Sequence, residues 1–154
     1  MCSSDLHAAG GPEMLAAAVE AADPGLSLLG VTVLTSMDGA QLEATGVHGS
    51  AAAQVERLAT MASAYGVRGF VCSPMEVAHL RRHLGPDSLL VIPGIRPEGS
   101  IIGDQRRIAT PAAAMAAGAS YLVVGRPITR AANPGTAARA ILAEMQSAVR
   151  IASA

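Results

Sequence analysis

The chain contains no lysine; all 11 of its basic residues are arginine. Arginine stays protonated in proteins, so a mechanism that needs a lysine to give up a proton has no donor here. Tryptophan is also absent and aromatic residues make up 2% of the chain, which leaves little surface on which to stack bases. The formal net charge of −1 gives no basic footprint, so nucleic acid is not an expected partner. Two cysteines, Cys2 and Cys72, form neither a disulfide framework nor a metal-type spacing, which fits a reduced, cytoplasmic protein. No apolar run reaches the roughly 18 residues of a membrane span, so no membrane partner is expected, and no basic segment followed by an apolar one opens the chain as in a secretory signal. The four histidines make no metal motif. His79 and His83, four apart on a predicted helix, are expected as exposed residues beside Arg81 and Arg82.

What is present is aliphatic. Hydrophobic residues make up 51% of 154 positions, so the core must come from Val, Ile, Leu, Ala and Met. Four short runs stand out: Leu26–Leu34 (LSLLGVTVL), Arg68–Cys72 (RGFVC), Ser88–Ile92 (SLLVI) and Ser120–Val124 (SYLVV). They are apolar without alternation, as strands buried on both faces are. Between them lie helical patterns. Ala51–Tyr65 repeats apolar residues at Val55, Leu58, Ala59 and Ala62, and Gly66 follows as a C-cap. Pro74–Leu84 opens with Ser73 as N-cap and closes at Gly85. Thr110–Ala117 repeats that grammar with Thr110, Pro111 and Gly118, and Pro134–Ala148 follows Asn133. An earlier helix spans Gly11–Ala22.

A helix followed by four strand–helix units predicts an α/β fold with a parallel sheet. Four such units fit a small open domain, or half of a (β/α)₈ barrel, whose full length is about 250 residues. Length favours the first and the loops favour the second. Barrel enzymes place function at the C-terminal ends of the strands, and the loops after strands seven and eight often hold phosphate. Here the last two strands end in P-G-I-R-P-E-G and G-R-P-I-T. In the second, Gly125 lets the backbone approach a ligand and Arg126 offers a planar charged fork; a short helix starting near Pro127 would turn backbone N–H groups toward an anion. Alone, that pentapeptide equally fits a tight turn with a surface arginine. In the longer loop Gly94 and Gly99 bracket Arg96, and Asp104, Gln105, Arg106 and Arg107 follow. A loop of this length in a compact domain is usually functional or disordered. Gln105 can donate and accept at once, whereas Arg106 and Arg107 also fit a solvated basic run. Two arginine-bearing turns on consecutive strands favour a phosphate site. Thr35 ends the first apolar run, where its hydroxyl would face a pocket, while Ser36 or Asp38 serves as the helix or turn cap.

HAAGG (His7–Gly11), VTVLTSMD (Val31–Asp38), VCSPMEV (Val71–Val77), PGIRPEGSIIGDQRRIATP (Pro93–Pro111) and YLVVGRPIT (Tyr121–Thr129) occur in this order. Together they resemble the C-terminal portion of bacterial orotidine 5′-phosphate decarboxylase, from about His7 to Ala148. The pairing of the long loop with VGRPIT separates this family from related barrel decarboxylases acting on sugar phosphates. The resemblance implies the C-terminal half of a (β/α)₈ TIM barrel, four parallel strands with flanking helices. It implies a homodimer that converts orotidine 5′-phosphate to UMP and CO₂ with no metal or organic cofactor. It implies that Thr35 hydrogen-bonds the pyrimidine, that Arg96, Gly125 and Arg126 hold the phosphate, and that Gln105 contacts substrate when its loop closes.

The departure lies in the chemistry. The family uses an Asp/Lys array with a D-x-K-x-x-D motif, in which the lysine protonates the carbon left by CO₂, and one aspartate comes from the partner subunit. This chain has no such motif and therefore no catalytic residue of that kind. The expectation is a binding half without turnover, or at least a non-catalytic phosphate- or nucleotide-binding module. Met1–Leu6 (MCSSDL) reads as neither apolar nor strand-like and is expected to be a cloning or assembly scar, leaving residues 7–150 as a partial barrel domain. A half-barrel should also expose two sheet edges and an apolar inner face, and so self-associate or dissolve poorly.

Overall fold

The computed structural model describes residues 2–97 and 107–152. Five strands form one parallel sheet in chain order: β1 (Cys2–His7), β2 (Leu26–Val31), β3 (Gly69–Val71), β4 (Leu89–Ile92) and β5 (Tyr121–Leu122). The expectation of four strands is corrected to five, because Cys2–His7 pairs in register with Leu26–Val31. The reason is physical. Strand pairing is made by backbone groups, so polar residues such as Ser3, Ser4 and Asp5 take their place in the ladder beside Leu26–Val31. Side-chain apolarity was therefore the wrong test for that segment.

The helices follow the sequence, with one addition, Gly39–Ala44, that its pattern did not signal. They are α1 (Pro12–Ala21), α2 (Gly39–Ala44), α3 (Ala51–Ala64), α4 (Val77–Leu84), α5 (Pro111–Ala116), α6 (Arg126–Thr129) and α7 (Pro134–Ala152). Asp38 caps α2 through the Gln41 amide, Ser50 caps α3 through Ala53, Thr110 caps α5 through Ala113, and the Asn133 side chain accepts from the Thr136 amide at the start of α7. Each cap satisfies an N–H that the first helical turn leaves unpaired. The predicted Pro74–Leu84 helix divides in two: Pro74–Glu76 is a 3₁₀ turn, and the α-helix begins at Val77.

Register sorts the sheet into two faces, since side chains alternate along a strand. Gly30, Phe70 and Leu90 share one face with Ile92 and Leu122. There they meet Leu15 of α1, Val55, Leu58, Ala59 and Ala62 of α3, Val77 and Leu80 of α4, and Ala114 of α5. Burial of this kind contributes roughly 25 cal/mol per Å² of apolar surface. The opposite face carries Leu29, Val31, Val71 and Val91, then Tyr121 and Val123 toward the β5 edge. Leu29, Val31 and Val91 are buried, but Tyr121 and Val123 are 44% and 50% exposed. Gly69 belongs to this face: a β-carbon there would lie 2.4 Å from Leu29 Cδ2, so the leucine lies across the glycine.

Arg81 ties the N-terminal end of the strands. Its Nη1 donates to the carbonyls of Gly85 (3.1 Å), Pro86 (2.9 Å) and Ser88 (2.8 Å). Its Nη2 reaches the Gly118 carbonyl (2.8 Å) and the Ser120 hydroxyl (3.0 Å), just before β5. On the same helix His79 contacts Glu56 Oε2 at 3.0 Å and His83 contacts Thr60 Oγ1 at 2.8 Å, so both histidines fasten α4 to α3. Among the described residues no helix is long and apolar enough to cross a membrane.

Candidate functional site at the C-terminal ends of the strands

Because every strand is parallel, Thr35, Ser73, Gly94–Arg96 and Gly125–Arg126 all follow C-terminal strand ends on one side of the sheet. Three of them are unusually buried for polar residues: Ser73 is fully buried, Thr35 is 9% exposed and Arg96 7%. A polar side chain at that depth must keep hydrogen bonds, because burying it without them costs free energy.

Gly94 fixes the convergence. Its φ of +81° is a backbone conformation that side-chain-bearing residues rarely adopt. A β-carbon there would also lie 2.7 Å from the Arg107 carbonyl oxygen, 3.4 Å from Pro74 Cδ and 3.4 Å from Thr35 Cγ2. The ends of β2, β3 and β4 therefore pack around one glycine. The long loop closes at its base: the Arg96 amide donates to the Ala109 carbonyl (2.9 Å) and the Ala109 amide to the Gly94 carbonyl (3.2 Å), with a parallel bridge between Ile95 and Ala109. Arg96 Nη1 donates to the Ile95 carbonyl at 2.7 Å, which folds the guanidinium back onto this stem.

Gly125 and Arg126 stand after β5, at the start of α6, where the Ile128 and Thr129 amides donate to the Gly125 carbonyl. The short helix thus begins at Arg126, one residue before the expected Pro127. Pro97 and Pro127 line one pocket of about 220 Å³ with Ala137, Ala140, Ile141 and Glu144. The segments that carry Arg96 and Arg126 therefore meet against α7. Gln105 lies outside the described residues.

Two site residues escaped the sequence reading. Arg107, which also fitted a solvated run, is instead half-buried and engaged: its Nη1 donates to Glu76 Oε1 at 2.6 Å, and its Nη2 donates to the carbonyls of Val33 (3.1 Å) and Leu34 (2.9 Å). Glu76 is 4% exposed. Its other oxygen accepts from the Ser73 amide at 3.1 Å and from the Ser73 hydroxyl. A sequence signal for Glu76 existed, since S-P-M-E ahead of an apolar run is a capping box, and that box forms. Arg107 carried no such local signal. Cys72 adjoins this pair, and burial, reinforced by the Glu76 charge, pushes its thiol up to about 12.

The chain matches the model of the family described as "Orotidine 5'-phosphate decarboxylase / HUMPS family" over residues 3–141. It belongs to that family. The proteins named orotidine 5'-phosphate decarboxylase of Thermobifida fusca (strain YX) and of Anaeromyxobacter sp. (strain K) are each 56% identical to it, over 141 and 138 residues. The alignments cover 92% and 90% of this chain but 60% and 61% of those relatives. The chain thus spans about 60% of the length of the curated relatives it matches. The crystal structure of orotidine 5'-phosphate decarboxylase from Lactobacillus acidophilus superposes with a TM-score of 0.78 at 38% identity, covering 94% of this chain and 63% of that one. An uncharacterized conserved protein from Geobacillus kaustophilus superposes at 0.73 with 30% identity. The five parallel strands and their helices are accordingly part of the family's (β/α)₈ barrel, matching the portion expected from the motifs and extended by β1.

Proposed function

We propose that this chain is the phosphate- and pyrimidine-binding half of an orotidine 5′-phosphate decarboxylase, an enzyme that converts orotidine 5′-phosphate to UMP and CO₂ in pyrimidine biosynthesis. One observation carries the reading: buried Thr35 lies against Gly94, at the base of the loop that holds Arg96. In this reading Arg96 and Arg126 take the 5′-phosphate between them. Both stay charged at every physiological pH, and a guanidinium matches phosphate oxygens in pairs. Gly125 lets the backbone approach the same phosphate, and the Thr35 hydroxyl meets the pyrimidine. Gln105 bridges phosphate and ring when the loop closes. Phosphate affinity then serves to hold the closed site and favour the transition state.

The carbon left after loss of CO₂ must be protonated. The chain has no lysine and no D-x-K-x-x-D motif to do this, so by itself it binds nucleotide without turning substrate over. The active enzyme in this reading is a cytoplasmic homodimer, with an aspartate crossing from the partner subunit. Calorimetry with UMP and an absorbance assay with orotidine 5′-phosphate test the proposal together. UMP binding without decarboxylation is expected. Absence of UMP binding would refute the binding half, and turnover above background would refute the lysine argument.

A further inference from the structure

Arg107 lies on the descending side of the loop after β4, yet its guanidinium serves the other strand ends. Nη2 holds the carbonyls of Val33 and Leu34, the two residues before Thr35. Nη1 holds Glu76, which is itself held by Ser73 at the end of β3. The Arg107 carbonyl packs on Gly94, and the Ala109 carbonyl two residues on receives the Arg96 amide. One side chain and its own backbone thus join the ends of β2, β3 and β4. The pair is shielded from solvent, with side-chain exposures of 13% for Arg107 and 5% for Glu76, so water screens it weakly.

We propose that Arg107, held by Glu76, is a positioning residue for ligand binding: it sets the distance between Thr35 and Arg96 and contacts neither phosphate nor pyrimidine itself. This rests on the functional reading above. Its geometric content stands apart from that reading, since it says that the loop stem and the β2 end move together only while the pair is intact. Lysine at position 107 keeps the charge but loses the planar fork that reaches a carboxylate and two carbonyls at once. Glutamine at position 76 keeps the shape but removes the counter-charge.

The test uses the whole chain as wild type, Arg107→Lys, Glu76→Gln, the double variant and Arg126→Gln, each first checked for cooperative unfolding. Binding of UMP, uridine and inorganic phosphate is measured by calorimetry. A positioning role predicts about tenfold weaker UMP binding in each single variant, the size of one lost charge-assisted hydrogen bond. The double variant is expected to be no weaker than the singles, because both act on one element. The loss should fall on uridine and phosphate alike, whereas Arg126→Gln should weaken phosphate and spare uridine. Wild-type affinity in Arg107→Lys, or a loss confined to phosphate and additive with Glu76→Gln, would overturn the proposal. Hydrogen exchange of the Arg96 and Ala109 amides, without ligand, decides separately. Should the wild type bind no UMP, the functional reading fails, and faster exchange at these amides in Arg107→Lys and Glu76→Gln still supports the positioning role. Unchanged exchange rejects it.

Discussion

At the N-terminal end of the strands, Arg81 binds only neutral acceptors, the carbonyls of Gly85, Pro86, Ser88 and Gly118 and two hydroxyls. At the C-terminal end, Arg107 binds two carbonyls and a buried carboxylate. Both gather strand ends, but the chemistry differs in what remains if the arginine is lost. Removing Arg81 leaves only neutral acceptors without their donor. Removing Arg107 strands a buried negative charge, and breaking one half of such a pair is far costlier than the pair is worth. In barrel enzymes the first end reads as stability and the second as function. Here the end that carries the candidate site also holds the more fragile interaction.

The contrast can be broken most directly at Arg107. Arg107→Met should lower unfolding free energy by about 3–5 kcal/mol, seen as a fall in the urea midpoint by circular dichroism. A loss no greater than that of Arg81→Ala would erase the distinction. Arg81→Ala should cost about 2 kcal/mol, the range of a charge-assisted hydrogen bond, and should leave UMP affinity unchanged in the folded protein. Weakened UMP binding there would mean that the two ends are not independent.

Cys72 reports on the packing beside Glu76. Its thiol is pushed from an ordinary 9.0 to about 12, first by burial and then by the Glu76 charge, with Arg107 and Arg81 opposing. The sign follows from that shift: the folded state keeps the proton where the unfolded state releases it. The contribution is whole below pH 9 and is lost as pH rises toward 12. Stability should therefore fall by roughly 1 kcal/mol over the first pH unit above 9, and Cys72→Ala should lack that part of the decline in urea titrations. In the native protein iodoacetamide should label Cys72 only after denaturant is added. The smallest effect belongs to Thr110→Ala, which removes the α5 cap just beyond the loop stem and should cost about 1 kcal/mol in the same unfolding experiment. A larger loss would show that the cap also braces the stem.

Legibility divided along sequence distance. Ser73, Thr110 and Asn133 were readable as caps because a cap is decided within three residues. The buried stripe Val55, Leu58, Ala59 and Ala62 was readable because helical period alone defines it. β1 was not, since its place depends on backbone pairing with Leu26–Val31. The candidate site showed the same split. Thr35 and Arg96 were visible from their position at strand ends, and both are buried there. Arg107 was not visible, because nothing near it in sequence discloses a carboxylate 31 residues away or a carbonyl 74 residues away.

Those separations also carry a consequence for how the chain folds. Arg81 reaches partners within 39 residues, all available once β5 has been made. Arg107 must close a span of 74 residues back to Val33. Longer closures cost more entropy and come later. A refolding chain would then lock the foot of its sheet before the strand ends of the candidate site are joined.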